Sequence, residues 1–142
     1  MRYIVATDGS EESDAAVRYA TRHALAFDAT LEIVHVLEPK TELVGGEVVL
    51  PGGEKATELG RRTLEAARGV ATDVADADGG TEIETELLAG RPADAIADRA
   101  RETEADAIFV GHRGLSEERE RVVGSVAKNV VDKATVPVTV IR

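Results

Sequence analysis

The apolar residues of this chain alternate between the two-residue period of a strand and the 3.6-residue period of a helix. This repeated switch constrains the fold more than any other feature of the sequence. Segments that follow one another as strand, helix and strand form parallel strands joined by right-handed crossovers. We therefore predict an α/β fold, in which an open parallel sheet carries helices on both of its faces.

Five predicted strands alternate with four predicted helices. The strands are expected at Arg2–Thr7, Thr30–Leu37, Thr81–Ala89, Ala107–Gly111 and Val136–Ile141. The helices are expected after Ser10, from Glu54 to the turn at Asp76–Gly80, after Gly90-Arg91-Pro92, and from about Gly124 to Thr135. No linker or internal repeat divides the chain, so residues 1–142 are expected to form a single domain.

Two loops have the composition of a ligand site. They are Ala6–Ser10 after the first strand and Gly111–Gly114 after the fourth. In the strand order 3-2-1-4-5, which the sequence alone does not prove, these loops flank the point where the winding direction reverses. Ligands of open parallel sheets bind there, beyond the carboxyl ends of the strands.

The segment from Lys40 to Ala56 is the least regular part of the chain. Gly45-Gly46 and Pro51-Gly52-Gly53 bracket a short apolar run, Glu47–Leu50. A mobile flap over a ligand, an apolar patch against a partner and a plain loop are three interpretations that remain open.

The charge excludes several classes of partner. There are 27 acidic and 17 basic side chains and the formal net charge is -10, which disfavours nucleic acid and anionic membrane as binding partners. The absence of cysteine excludes disulfides, thiol nucleophiles and cysteine-based metal sites. An acidic residue, Asp8, comes too early for a signal peptide, and no apolar run approaches the ~20 residues of a membrane span. We expect a cytoplasmic protein.

The composition also has a halophilic character. Only four basic residues are lysine, and the apolar residues are mostly alanine and valine. An acidic, lysine-poor surface over a core of small residues resembles that of proteins from a high-salt cytoplasm, with an ordinary acidic protein as the alternative.

The most informative motif is Gly111-x-x-Gly114, followed after nine residues by Gly124-Ser125. A glycine at the end of a buried strand lets ribose or phosphate approach the backbone. Gly124-Ser125 begins a predicted helix, whose free amide groups attract an anion. A strand end and a helix start placed together predict a phosphate-binding cradle.

With this motif the sequence resembles the universal stress protein family, in the branch that binds ATP. The resemblance covers the whole chain, with matching segments at Tyr3–Ser10, His35-Val36, Gly90–Pro92, Val126–Val130 and Val136–Ile141. It implies an adenine nucleotide alpha hydrolase-like fold with five strands.

The resemblance also implies roles for individual residues. Thr7 and Asp8 would line the nucleoside pocket, with Asp8 near the ribose, and Val36 would meet adenine through its backbone. Gly111 and Gly114 would flank ribose and phosphate, while Gly124, Ser125 and Val126 would hold the outer phosphates. The intervening loop contains Glu117, Glu118 and Glu120, and these carboxylates would repel a triphosphate unless they face water or help to hold Mg²⁺.

Several of these residues also have purely structural interpretations. Asp8 can cap the first helix with Glu11 as its capping-box partner, and Ser125 can be the N-cap of the last helix. His35 is expected to be a core or supporting residue and His112 a solvated loop residue. The three histidines show no metal-ligand spacing.

The leading functional hypothesis is an ATP-dependent stress-response or signalling switch in which hydrolysis is slow or absent. No nucleophile elbow, phosphate-loop motif or dinucleotide fingerprint is present. Two alternatives are a nucleotide-free dimerisation module of the same family and a phospho-acceptor receiver domain that would use Asp8. We also predict a homodimer, because the last strand, Val136–Ile141, is apolar on both faces and would lie at an open sheet edge.

Overall fold

The computed structural model describes residues 1–39, 42–49, 53–78, 80–112 and 123–142. Its strands are β1 (Arg2–Ala6), β2 (Thr30–Leu37), β3 (Glu42–Val44), β4 (Glu47–Val49), β5 (Ile83–Ala89), β6 (Ala107–Gly111) and β7 (Val138–Ile141). Its helices are α1 (Glu11–Phe27), α2 (Glu54–Asp78), α3 (Pro92–Glu102) and α4 (Ser125–Lys133). Among the helices of the described residues, none is both long and apolar enough to cross a lipid bilayer.

The main sheet confirms the predicted fold class and strand order. Five parallel strands lie in the order β5-β2-β1-β6-β7, which is 3-2-1-4-5 when the strands of this sheet are counted along the chain. The last strand is shorter than predicted: it begins at Val138, and the preceding carbonyl of Pro137 accepts a hydrogen bond from the Ile108 amide at 2.9 Å.

The irregular segment predicted at Lys40–Ala56 contains regular structure. Strands β3 and β4 form an antiparallel hairpin, and Gly45 and Gly46 at its tip have φ angles of 59° and 82°. Glycine adopts such positive φ angles without steric cost, which suits a tight two-residue hairpin turn. The last three residues of the segment, 54–56, lie in α2. The function of this segment as a flap or partner patch stays a prediction.

Two apolar clusters hold the helices against the sheet. One packs α1 and α2 on one face, and the other packs α3 and α4 on the opposite face. Fully buried alanines on α1 (Ala16, Ala20 and Ala24) let this helix lie close to β1 and β6. Helices on both faces of a parallel sheet follow from its right-handed crossovers.

The amino end of the sheet is closed by a buried ion network. The Glu32 carboxylate on β2 is only 2% exposed and accepts two hydrogen bonds from Arg99 of α3, both at 2.8 Å, and one from Arg2 at 3.2 Å. Arg2 also donates to Glu84 on β5 at 2.7 Å. The hydrogen bonds to Glu32 raise the pKa of the Arg99 guanidinium above its usual value. This network ties α3 and β1 to β2 and to the outer strand β5.

Candidate functional site

The carboxyl ends of β1 and β6 form the predicted switch point of the sheet. These strands are neighbours, and the helix that follows β1 lies on one face while the helix that follows β6 lies on the other. The loop after β1, and Gly111 and His112 at the start of the loop after β6, therefore flank the point where the winding direction reverses. A crevice at this position is the usual ligand site of an open parallel sheet.

The turn after β1 is held by a network of side-chain oxygens. Thr7 is 4% exposed, and its hydroxyl lies 3.1 Å from that of Ser13 on α1 and accepts from the Gly9 amide at 3.2 Å. The Asp8 carboxylate accepts from the Ser10 amide at 3.0 Å, and Gly9 has a φ of 84°. The turn is thus rigidly braced, with Asp8 half-buried at its start.

The N-cap of α1 differs from the predicted one. Ser10 caps the helix and accepts from the Ser13 amide at 3.1 Å, so the interpretation of Asp8 as the N-cap is wrong. Asp8 instead holds the amide of the capping residue. Burial raises the pKa of the neighbouring Asp14 carboxyl; attraction to Arg18 opposes this rise, and repulsion from Asp8 adds to it.

Gly111, at the end of β6, lies against the first turn of α1. A Cβ atom at this position would lie 3.0 Å from the carbonyl carbon and oxygen of Glu12 and 3.3 Å from the Ser13 amide. The sequence interpretation assigned the space beside Gly111 to an approaching ribose or phosphate. On the side where a Cβ atom would lie, the backbone of α1 fills this space. Contact between Gly111 and a nucleotide stays a prediction, and such a contact would involve the glycine backbone alone.

The backbone of His112 joins β6 to two other elements. Its amide donates to the Ile141 carbonyl on β7 at 2.8 Å, and its carbonyl accepts from the Gly124 amide at 2.5 Å. Gly124 is the N-cap of α4, so the alternative in which Ser125 caps this helix is wrong; Ser125 and Val126 are exposed in its first turn. These bonds bring the amide groups of the first turn of α4 to the end of β6.

The His112 side chain departs from the predicted solvated loop residue. It is 7% exposed, and its Nδ1 atom has no hydrogen-bond partner. Among the described residues, this is the one buried side-chain nitrogen or oxygen atom in that condition. The side chain of His35, by contrast, is a supporting residue as predicted, because its Nδ1 lies 2.8 Å from the Thr7 carbonyl and donates to it. A buried polar atom without a partner is costly, and such atoms in native structures often mark a ligand site.

The structure thus brings most of the predicted residues to one end of the sheet. Thr7, Asp8, Val36, Gly111, Gly124, Ser125 and Val126 all lie at or beyond the carboxyl ends of β1, β2 and β6 or at the start of α4. Gly114 and the Glu117–Arg121 loop lie outside the described residues. Among the residues that are described, no group of three His, Cys, Asp or Glu side chains could hold a metal ion.

Ser13 is a site residue that the sequence analysis missed. Its hydroxyl contacts Thr7 and its amide lies beside Gly111, so it links the loops after β1 and β6. The available signal was its position: Ser13, Val17, Ala20 and Ala24 share one helical stripe, and a hydroxyl in a buried stripe calls for a partner.

Comparisons with known proteins agree on one family. The sequence profile described as Universal stress protein family matches residues 1–142. The protein named "Universal stress protein in QAH/OAS sulfhydrylase 3'region" from Thermus aquaticus is 34% identical over 139 residues, which cover 98% of this chain and 96% of that protein. A universal stress protein from Methanocaldococcus jannaschii is 30% identical over 148 residues, covering 99% and 81% of the two chains.

Two solved structures carry nucleotides. A universal stress protein in complex with cAMP has a TM-score of 0.74 and 30% identity, with 100% of this chain and 96% of that chain covered. The universal stress protein from Archaeoglobus fulgidus in complex with dAMP has a TM-score of 0.76 and 28% identity, with 100% and 98% covered.

Proposed function

The chain belongs to the universal stress protein family, and on that premise we propose that it binds ATP and acts as a nucleotide-dependent stress-response or signalling switch. The site lies at the switch point of the sheet, between the turn after β1 and the start of α4. Hydrolysis is slow or absent in this proposal, because the sequence has no nucleophile elbow, metal-ligand cluster or isolated carboxylate pair.

The observation that supports the proposal most strongly is the hydrogen bond between the Gly124 amide and the His112 carbonyl. This bond brings the N-terminus of α4 to the end of β6, beside the β1 turn. A helix N-terminus carries roughly half a positive charge and several amides without intrahelical acceptors, which together attract phosphate. The buried and unpartnered Nδ1 of His112 adds hydrogen-bonding capacity at the same place.

Each predicted residue has a role in this proposal. Thr7 and Asp8 line the nucleoside pocket, and Val36 meets adenine through its backbone. The backbones of Gly111 and Gly114 flank the ribose and the first phosphate, while the outer phosphates lie at Gly124, Ser125 and Val126. Adenine is favoured as the base because the solved relatives carry cAMP and dAMP.

Mg²⁺ is proposed to arrive with the nucleotide. Mg²⁺ keeps several waters and is held by phosphates together with one or two carboxylates. This mode of binding needs no pre-formed cluster of protein ligands, and the described residues contain none. When bound, the ion would neutralise phosphate charge in a protein whose formal net charge is -10.

The homodimer is proposed to form through β7. This strand lies at the open edge of the sheet, where it pairs with β6 on one side. All four of its residues are half-buried, which leaves apolar surface beside backbone groups that can pair with another strand. Antiparallel pairing with the same strand of a second copy would close this edge.

The salt requirement of the protein follows from its charge. Self-repulsion at a net charge of -10 is relieved by screening over a Debye length of ~10 Å at 0.1 M salt and less in molar salt. We propose a protein of a high-salt cytoplasm, in which KCl raises the melting temperature. Melting curves that coincide in low and molar KCl would contradict this part of the proposal.

Calorimetric titration with Mg·ATP in molar KCl tests the site. Gly124→Val introduces a branched side chain at the start of α4 and should abolish the binding heat. Ser125→Ala removes one hydroxyl and should weaken binding about fivefold, the equivalent of about 1 kcal/mol. Gly69→Ala is a matched control, because a Cβ atom there meets nothing within 4 Å.

Three outcomes discriminate between the functions. Loss of heat in Gly124→Val, with a native circular dichroism spectrum and unchanged binding in Gly69→Ala, supports the site. Equal affinity in Gly124→Val and wild type would contradict it. Absence of any heat with the wild-type protein would favour the nucleotide-free dimerisation module.

A further inference from the structure

The His112 side chain is a buried polar group to which the proposed function gives no defined partner. The residue is 7% exposed, and within the described part of the chain its Nδ1 atom forms no hydrogen bond. Such an atom costs free energy, and an ordered water or a bound ligand commonly relieves this cost. The direction of the ring and the elements beside it indicate which of these two partners fits the site.

The alternation of side chains along β6 sets the direction of the His112 ring. Phe109 belongs to the apolar cluster of α1 and α2, and Val110 belongs to the cluster of α3 and α4. A Cβ atom on Gly111 would again face α1. The His112 amide continues the ladder to Ile141, so the alternation extends to this residue. The His112 side chain therefore lies on the face of the sheet that carries α4.

The helix α4 begins at the same place. The His112 carbonyl accepts a hydrogen bond from the amide of Gly124, the N-cap of this nine-residue helix, at 2.5 Å. The first turn of α4 carries no acidic residue, whereas α1, α2 and α3 each have at least one in their first turn. A helix N-terminus attracts negative charge, and here no side chain of the first turn supplies it. An anion is therefore the group that the start of α4 attracts beside His112.

His112 lies between the two parts of the proposed nucleotide site. On one side of β6 is β1, paired through Val5 and Phe109, and the turn that follows β1 carries Asp8. On the other side is the hydrogen bond to Gly124 at the start of α4. In the proposed function, the ribose lies at Asp8 and the outer phosphates lie at α4. The group of the nucleotide that lies between these two is the phosphate attached to the ribose.

We propose that the Nδ1 atom of His112 donates a hydrogen bond to the phosphate attached to the ribose, and that this bond makes the site select a nucleotide over a nucleoside. The inference rests on the nucleotide binding put forward under Proposed function. A water molecule would satisfy the nitrogen alone, whereas a phosphate satisfies both the nitrogen and the positive end of α4. An ionised phosphate oxygen only accepts hydrogen bonds, so Nδ1 carries a proton in the complex.

The shape of the imidazole ring allows the nitrogen to reach the ligand. The torsion about the Cβ–Cγ bond of a histidine is broad and roughly two-fold. A half-turn about this bond exchanges Nδ1 with Cδ2, so either edge of the ring can face the crevice. The nitrogen can therefore turn to a phosphate while the ring keeps its place on the α4 side of the sheet.

Burial and charge both strengthen the proposed hydrogen bond. A hydrogen bond to an ionised group is roughly twice as strong as one between neutral groups, and a low local dielectric strengthens it further. Adenosine has no phosphate, so Nδ1 would stay without a partner in its complex. The ratio of the affinities for AMP and adenosine therefore measures the contact.

Calorimetric titration of the full chain with adenosine, AMP and Mg·ATP in molar KCl tests the inference. His112→Leu should weaken AMP binding about 10- to 100-fold, the loss expected when a hydrogen bond to a charged group is removed. Binding of Mg·ATP should weaken in the same direction. Binding of adenosine should stay unchanged, because the substitution removes no contact to the nucleoside.

Two further variants locate the contact at Nδ1. The amide nitrogen of asparagine is as many bonds from Cα as Nδ1 is, whereas that of glutamine is one bond farther away. His112→Asn should therefore recover most of the AMP affinity, and His112→Gln should be as weak as His112→Leu. His23→Asn replaces a histidine near the far end of α1 and is the matched control, with wild-type affinity expected. Circular dichroism verifies that each variant is folded.

Nitrogen-15 NMR of the imidazole rings adds a measurement on the wild-type protein itself. The chain has three histidines, and His35 donates from Nδ1 to the Thr7 carbonyl, which makes it an internal standard for a protonated Nδ1. In the AMP complex, the Nδ1 resonance of His112 should have the shift of a protonated and hydrogen-bonded nitrogen. In the adenosine complex it should differ from that value.

The outcomes separate this inference from the function on which it rests. Weaker AMP binding in His112→Leu, recovery in His112→Asn and unchanged adenosine binding support the contact. Equal AMP affinity in His112→Leu and wild type overturns the contact but leaves the nucleotide site standing. Equal losses for AMP and adenosine, or the same His112 resonance in both complexes, reduce His112 to a structural residue and also overturn it. A wild-type protein that binds neither AMP nor Mg·ATP overturns the proposed function and this inference together.

Discussion

The two ends of the parallel sheet treat their polar groups in opposite ways. At the amino end, the buried Glu32 carboxylate is matched within the chain by Arg99 and Arg2. At the carboxyl end, the His112 Nδ1 atom is buried without a partner in the described part of the chain, beside the start of α4. Buried polar groups whose hydrogen bonds are all satisfied within the chain stabilise the fold. A buried polar group without a partner can still form a hydrogen bond to a ligand. The contrast identifies the amino end as structural, and it supports the ligand site that we propose at the carboxyl end.

Removing the charge at the amino end should have the largest effect on stability. Glu32→Ala would remove the buried carboxylate that both guanidinium groups contact, leaving Arg2 with Glu84 and Arg99 with the more distant Glu86, and should cost about 3 kcal/mol of unfolding free energy. Affinity for nucleotide should change little, because Glu32 lies at the other end of β2. Urea denaturation measures the first quantity and calorimetric titration the second.

A control for this variant is Glu58→Ala. Glu58 pairs with Arg62 on α2, where both side chains are more than 60% exposed. Exposed pairs contribute less than about 1 kcal/mol. Equal losses of stability in Glu32→Ala and Glu58→Ala would show that the Glu32 network stabilises the fold no more than an exposed ion pair does.

Adding a methyl group at the carboxyl end should affect both stability and binding. In Gly111→Ala the new Cβ meets the Glu12 backbone at 3.0 Å, so α1 must shift away from β6. We expect a loss of 1–3 kcal/mol, a typical cost of overpacking, together with weaker nucleotide binding. Gly69→Ala in the interior of α2 should instead stabilise the protein by up to about 1 kcal/mol. If Gly111→Ala retains wild-type affinity, the ligand does not contact the loops that Ser13 joins.

Two histidines test how a hydrogen-bond partner changes the contribution of a ring nitrogen to stability. His35→Leu breaks a hydrogen bond to the Thr7 carbonyl and should cost about 1–2 kcal/mol in the ligand-free protein. His112→Leu removes a buried nitrogen without a partner and should leave the ligand-free stability within about 1 kcal/mol of wild type. Thermal unfolding with and without Mg·ATP measures the stability of both variants in the ligand-free and the ligand-bound state. A larger loss for His112→Leu than for His35→Leu would contradict the contrast.

The smallest expected effect concerns Asp14, near the β1 turn. Its pKa is raised in the folded state, mainly by burial, so the native protein binds this proton more tightly than the unfolded chain. The resulting contribution favours folding at low pH and is lost as the pH rises through the folded-state pKa. Asp14→Asn should therefore slightly raise the melting temperature at pH 7 but not well below pH 3.8, the usual value for this group.

The periodicity of the sequence predicted the main sheet because each strand and helix buries a regular stripe. The strand order 3-2-1-4-5, which the sequence alone did not prove, is confirmed by the sheet. Contacts between distant segments were not predictable in this way. Glu32 interrupts an apolar strand, and nothing in its neighbourhood identifies Arg99, 67 positions away, as its partner.

Three errors of the sequence analysis have different local causes. Asp8, Ser10 and Ser13 can all act as caps, and local sequence does not decide which of them lies at the end of the helix. His112 was expected in solvent because it follows a strand, yet its backbone continues the ladder to Ile141 and keeps its side chain buried. The β3–β4 hairpin was missed because its three-residue strands are too short for a period to be recognised.

The peptide groups on either side of His112 connect two functions that would otherwise be separate. The His112 amide donates a hydrogen bond to β7, and the His112 carbonyl accepts one from Gly124, the N-cap of α4. Any movement of α4 on capture of phosphate would pull on the strand at which two copies are proposed to meet. Linkage makes such a coupling reciprocal, so a nucleotide that tightens association must be bound more tightly, by the same factor, in the associated state. Through two hydrogen bonds, this residue would let the concentration of the protein itself set its sensitivity to nucleotide.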